Sequence, residues 1–216
     1  MNRYKVLRTS ITIVTLMVVG LGTVDAQPPD VAAYDRFLKL TRSAPDKLHA
    51  GDLKAATDQA NELLLLAPQF RKDWNYGNAV HTGHLVLGRI AADEGKLDEA
   101  KSRLHRSVAG DLLPYGFELR ITQAWEEPDV RPGWKASPQM DTFGPDMSLA
   151  NLLLIKGEKD AVLKYLDECE RFWTMGGKHL AEWRKQINAG ERPNFGANLI
   201  YFFKAVPKSE ELETRN

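Results

Sequence analysis

An all-α fold built from helix-turn-helix pairs is predicted, and three observations predict it. Apolar residues recur at three- and four-residue steps in several segments, the spacing that lines one face of a helix. Paired segments are separated by short turns centred on Gly51, Gly95 or Gly157, where glycine can take the left-handed conformation that ends a helix. Prolines cluster in one irregular stretch, Pro114, Pro128, Pro132 and Pro138, which therefore cannot be a single helix.

In the first pair the leading segment carries Pro45 and ends before Ala50-Gly51-Asp52. Its partner places Leu53, Ala56, Ala60 and Leu63 on one stripe and stops at Pro68. The second pair runs from Asn78 to Glu94 and from Lys96 to Val108, with Leu97, Ala100, Leu104 and Val108 forming the inward stripe. The third pair turns at Lys156-Gly157-Glu158 and carries Val162, Leu166, Cys169 and Trp173. A further helix from Lys178 to Asn188, apolar at Leu180, Trp183 and Ile187, is placed to cover the last pair's exposed edge. Cys169 is the only cysteine, so no internal disulfide can form and packing must hold the fold.

The units resemble tetratricopeptide (TPR) repeats at Gly51, Ala56 and Pro68, at Leu87-Gly88, Gly95 and Ala100, and at Leu149-Ala150, Gly157 and Leu166. The turn glycines stand 44 and then 62 residues apart, against the regular TPR spacing of about 34. A narrower resemblance spans Trp74 to Leu199. It rests on Asn75-Tyr76-Gly77-Asn78-Ala79-Val80-His81, Leu85-Val86-Leu87-Gly88-Arg89, Phe143-Gly144-Pro145-Asp146-Met147-Ser148-Leu149-Ala150 and Phe195-Gly196-Ala197-Asn198-Leu199. These strings are similar to a group of uncharacterised bacterial TPR-like proteins. That resemblance implies an α-solenoid-like stack and a module for protein contacts, with no established activity attached.

Between the second and third pairs, about Gly110 to Thr142, a long irregular insert is expected. Phe117, Leu119 and Ile121 alternate there with Glu118, Arg120 and Thr122, the two-residue period of a strand in a hairpin or extended flap. Trp125 and Trp134 lie in the same stretch, either fastening the flap or offering a contact surface. The chain turns polar after Phe203, and residues 207–216 read as a flexible tail.

The amino-terminal 26 residues have the order of an export signal. Arg3, Lys5 and Arg8 precede the apolar run Ile11 to Leu21, and Val24 and Ala26 supply small residues before a cut that would leave Gln27 first. The run is about half the length of a membrane span. Cleavage near Ala26 would deliver a periplasmic or secreted domain, residues 27–206, with no membrane span in the mature chain; retention of the segment as an anchor is the alternative. Removing three bases and one acid from a chain holding 29 of each leaves a slight acidic excess. Such a balance offers no basic footprint for nucleic acid.

For chemistry, His81 and His84 are the candidate metal ligands, three residues apart on one helix, but no third ligand is spaced to join them. Asn78 shares a face with His81 and could cap its helix or join a polar pocket with Asp146 and Asn198. Phe143-Gly144-Pro145-Asp146 reads as a helix start, with Pro145 in the first turn and Asp146 against the helix dipole. No phosphate loop, nucleophile elbow or dinucleotide fingerprint is present, and no cofactor is expected. The leading expectation is an exported TPR-like module for a protein or peptide partner. The alternative is a small metal-dependent or hydrolytic enzyme using His81.

Overall fold

A computed structural model describes residues 30–109 and 138–199. Among the described residues there are eight α-helices and no strand. They are α1 (Val31–His49), α2 (Leu53–Leu66), α3 (Tyr76–Asp93), α4 (Leu97–Ala109), α5 (Pro138–Phe143), α6 (Ser148–Ile155), α7 (Lys159–Glu170) and α8 (Gly177–Asn188). The all-α class is thereby established. The leader, the alternating segment Phe117 to Ile121, Trp125, Trp134 and the tail lie outside the described residues.

One turn joins three pairs of helices, and the same closure ends α8 at Gly190. After α1, α3 and α6 the backbone N–H two residues past the cap reaches back five residues: Asp52 to the Lys47 carbonyl, Lys96 to Ala91 and Glu158 to Leu153. In each, the intervening glycine, Gly51, Gly95 or Gly157, has φ between +75° and +87°. This is the Schellman closure, which satisfies the carbonyls a helix end would otherwise leave bare. The next helix starts at once, and at α2 the Asp52 carboxylate caps it by accepting from the Ala55 N–H at 3.2 Å. A three-residue turn thus reverses the chain wherever the sequence places X-Gly-X between two apolar stripes.

The stripes are buried as the periodicity demands, at Ala56, Ala60 and Leu63 on α2, Ala100, Leu104 and Val108 on α4, Val162, Leu166 and Cys169 on α7, and Leu180, Trp183 and Ile187 on α8. Leu53 departs from its expected stripe: it stands at the hairpin tip and is 45% exposed. Pro45 does not break α1. It is buried with Ala44, so packing offsets the amide hydrogen bond it cannot make. A small aromatic core of Tyr34, Phe37 and Phe70, ring centroids 4.7–6.2 Å apart, joins α1 to the 3₁₀ turn after α2. The larger core runs from Ala44 of α1 through α8.

Helix α3 is the axis of the molecule. It packs on α1, α2, α4, α5 and α6, and all but three of its 18 residues are buried. Two glycines let its neighbours close in. A methyl group on Gly83 would lie 2.7 Å from Leu64 of α2, and one on Gly88 would lie 2.4 Å from Leu149 of α6 and 2.9 Å from Cβ of Arg103 on α4. Five residues apart, the two positions face about 140° away from each other, so opposite sides of α3 are each cut down to backbone.

The irregular reading of residues 110–142 is corrected at its end, where α5 begins at Pro138. A proline there forfeits no helical hydrogen bond, because first-turn amides have no intrahelical acceptor.

Gly88→Ala tests this packing. Alanine favours the helix by about 1 kcal/mol over glycine, but the new methyl meets the Arg103 Cβ, which sits at the base of its side chain and cannot swing away. A net loss of about 1–3 kcal/mol through overpacking is expected in urea unfolding. Stability equal to or above that of the parent chain would show that α4 and α6 do not close on α3 here.

Candidate functional site

His81 lies on the side of α3 that faces α4 and the link between α5 and α6. Its ring is completely buried. The Asp146 backbone N–H donates to Nε2 at 3.0 Å, which leaves Nδ1 as the protonated nitrogen, 3.3 Å from the Ser107 carbonyl that accepts from it. The tautomer follows from its neighbours, since a backbone amide can only donate and a carbonyl can only accept. Burial pushes the His81 pKa down to about 4, against a weaker upward pull from the Ser107 carbonyl. At neutral pH the ring is uncharged, with both nitrogens committed to backbone.

The link it holds runs from Phe143, the last residue of α5, through the irregular residues 144–147, and tertiary hydrogen bonds take up much of its polar backbone. Asn198 donates through Nδ2 to the carbonyls of Phe143 (2.9 Å) and Pro145 (3.0 Å), and its own carbonyl accepts from the Met147 N–H at 2.7 Å. The Gly144 N–H donates to Met140, and Asp146 turns Oδ1 to the Ser148 N–H at 2.7 Å. Buried irregular backbone is tolerated only when its donors and acceptors are satisfied in this way. On the far side, the Trp173 ring lies against Gly144, and its Nε1 donates to the Thr142 carbonyl at 3.4 Å.

Two expectations are corrected by this geometry. The helix does not start at Pro145–Asp146. It starts at Ser148, because His81 and Asn198 take the amides and carbonyls of 143–147 into tertiary hydrogen bonds, and Asp146 makes a side-chain turn two residues before the helix. Nor does Asn78 cap α3, which begins at Tyr76. Asn78 is a buried third-position residue whose Nδ2 donates to Asn75 Oδ1 (2.9 Å) and to Gln139 Oε1 of α5 (3.1 Å).

The structure thus brings His81, Asp146 and Asn198 into one buried cluster and sets Asn78 at a second α3–α5 junction. His84 is directed elsewhere. Its Nδ1 is buried without a hydrogen-bond partner among the described residues, and burial, reinforced by Arg103, Arg106 and His81, pushes its pKa well below the usual value. Cationic neighbours oppose a metal ion as they oppose a proton. Among the described residues no three His, Cys, Asp or Glu side chains are grouped to hold a metal.

No protein-family model, characterised protein or solved structure matches the chain.

Tyr165 and Cys169, one turn apart on α7, lie behind the cluster, fully buried. Burial pushes both pKa values well up, so phenol and thiol stay neutral. Beside them His105 of α4 and Glu168 of α7 form a buried pair, Nδ1 to Oε2 2.9 Å. Sequence reasoning missed this pair. Both residues flank their helices' apolar stripes and look solvated, and nothing in one sequence matches a histidine with a glutamate 63 residues away. Chemically, His81 and Asn198 position backbone in this cluster.

Asn198 offers the sharpest test of that role. Asn198→Ala strands the buried Phe143 and Pro145 carbonyls and should cost about 1–3 kcal/mol. Asn198→Asp, which turns an acceptor toward two carbonyls, should cost more at pH 7. Chemical denaturation of the two variants checks the order; an aspartate as stable as asparagine would mean that the amide does not staple this link.

Proposed function

We propose that the mature chain is an exported TPR-like module that holds a protein or peptide partner, and that His81 is part of its framework, not of a catalytic centre. The state of the His81 ring carries this reading. A ring whose lone pair accepts from a backbone amide can neither abstract a proton from a substrate nor ligate a metal without dismantling the 143–147 link. Support for the TPR-like part comes from the triple use of one Schellman turn and from the packing of α1 on both α2 and α3. Support for export comes from the basic, apolar and small-residue order of residues 1–26.

Trp125 and Trp134 are the proposed grip on the partner, since large rigid aromatic groups lose little entropy on binding. Trp74, in the loop before α3, adds a third indole that is 60% exposed. Replacing Trp125 and Trp134 together by alanine should leave helical circular dichroism nearly unchanged and weaken partner capture from cell-envelope extract at least tenfold. Unfolding of the double variant, or capture at parental strength, would reject the assignment. Mass spectrometry of natively produced protein should find Gln27 at the amino terminus, and intact Met1 in a soluble cytoplasmic fraction would remove export from the reading.

A further inference from the structure

We propose that His81 is an acid-release pin, whose protonation frees the 143–147 link and the 196–199 turn hydrogen-bonded to it while the α1–α2 hairpin stays folded. The geometry leaves a second proton no place on the ring. Nδ1 already carries one toward Ser107, and Nε2 faces the Asp146 N–H at 3.0 Å. Protonating Nε2 sets two donors against each other in a fully buried site and adds a charge there. Accommodating that charge requires the amide to leave.

Burial is what opposes an imidazolium at His81, against the weaker pull of the Ser107 carbonyl. From α3 comes His84; from α4, Arg103 and Arg106 stand by His84, and Ser107 offers its carbonyl. From α7, Tyr165 and Cys169 are held neutral by burial. The acid on the facing link is Asp146, and its Oδ1 is engaged by the Ser148 N–H.

The consequences are local. Asn198 binds the link through three hydrogen bonds, at 143, 145 and 147, so the 196–199 turn loses its seat when the link moves. The α1–α2 hairpin packs on Tyr76, Ala79 and Val80 of α3 through Phe37, Leu40, Leu63 and Phe70, whereas the hydrogen bonds described for the link run to His81, Asn198 and Met140.

The direction in pH follows from the ring's pKa, about 4 in place and 6.5 when free. The open form binds the extra proton between these values, so the closed form is fully favoured above pH 6.5 and loses ground as pH falls toward 4. The opening equilibrium should grow roughly 100-fold between pH 7 and pH 4. This pin is independent of what partner the module holds.

Hydrogen exchange on the intact mature chain tests it, read as protection factors to remove the intrinsic pH dependence of exchange. Protection of the Asp146, Met147 and Asn198 amides should fall over that window, while the amides of α1 and α2 keep theirs. In His81→Gln, whose side-chain amide can accept and donate but does not titrate, the loss should vanish. Loss that persists in His81→Gln and disappears in His105→Gln would overturn the proposal in favour of the His105–Glu168 pair. Should His81→Gln fail to fold, nitrogen NMR of the parental ring decides. A His81 ring that takes up its proton near pH 6.5 while the Asp146 amide stays protected would overturn the pin.

Discussion

The structure depends on enclosing α3. A helix covered on nearly every side can keep polar residues only where each finds a partner, and it can be approached closely only where its side chains are small. Both conditions are met by a few positions. Gly83 and Gly88 admit Leu64 from one side and Leu149 and Arg103 from another. His81 and Asn78, the polar groups facing the link and α5, hydrogen-bond to those elements and thereby hold them. Burial cost and positional specificity are here the same interaction, since leaving His81 without the Asp146 amide would strand a buried acceptor.

That constraint extends outward in order. Because His81 holds Asp146 and Asn198 holds 143, 145 and 147, the start of α6 is set at Ser148. With α6 placed, Leu149 closes on Gly88, and α7 packs on α4 and α6. Helix α8 then lies on α7, where Arg184 bridges Asp167 and Glu170 and also donates to the Leu166 carbonyl. The two ion pairs are largely solvated and contribute little; the buried Trp183 against Phe195, centroids 4.9 Å apart, anchors this end more firmly.

A buried neutral histidine also gives the fold an asymmetry in pH. Carboxylates paired at the surface add only slightly to acid sensitivity, whereas a ring that must stay unprotonated to accept a backbone hydrogen bond couples one link of the chain to the proton concentration outside it. An exported domain meets the pH of its surroundings more directly than a cytoplasmic one. The pin and the proposed location are compatible on that ground, although neither requires the other.

Periodicity and turn chemistry were enough to read most of the described helices and most of their inward faces, because a 3.6-residue repeat and a left-handed glycine are local properties. They did not reach α5, the exposed Leu53 or Trp173, which lies beyond the end of α7. Ala100, Leu104 and Val108, or Gly95 in its turn, need no knowledge of the rest of the molecule. The proline-rich insert misled at Pro138, where the same residue that breaks a helix interior opens one. What tertiary structure alone decided is where polar groups went. Asp146 looked like a helix-start acid, and by local rules it was; His81 and Asn198 outbid the helix for the backbone around it. His105 looked solvated, and Glu168 covered it from 63 residues away. Hydrogen-bond partners across a core are chosen by proximity after folding, and a sequence read along one dimension encodes that proximity only through the packing it brings about.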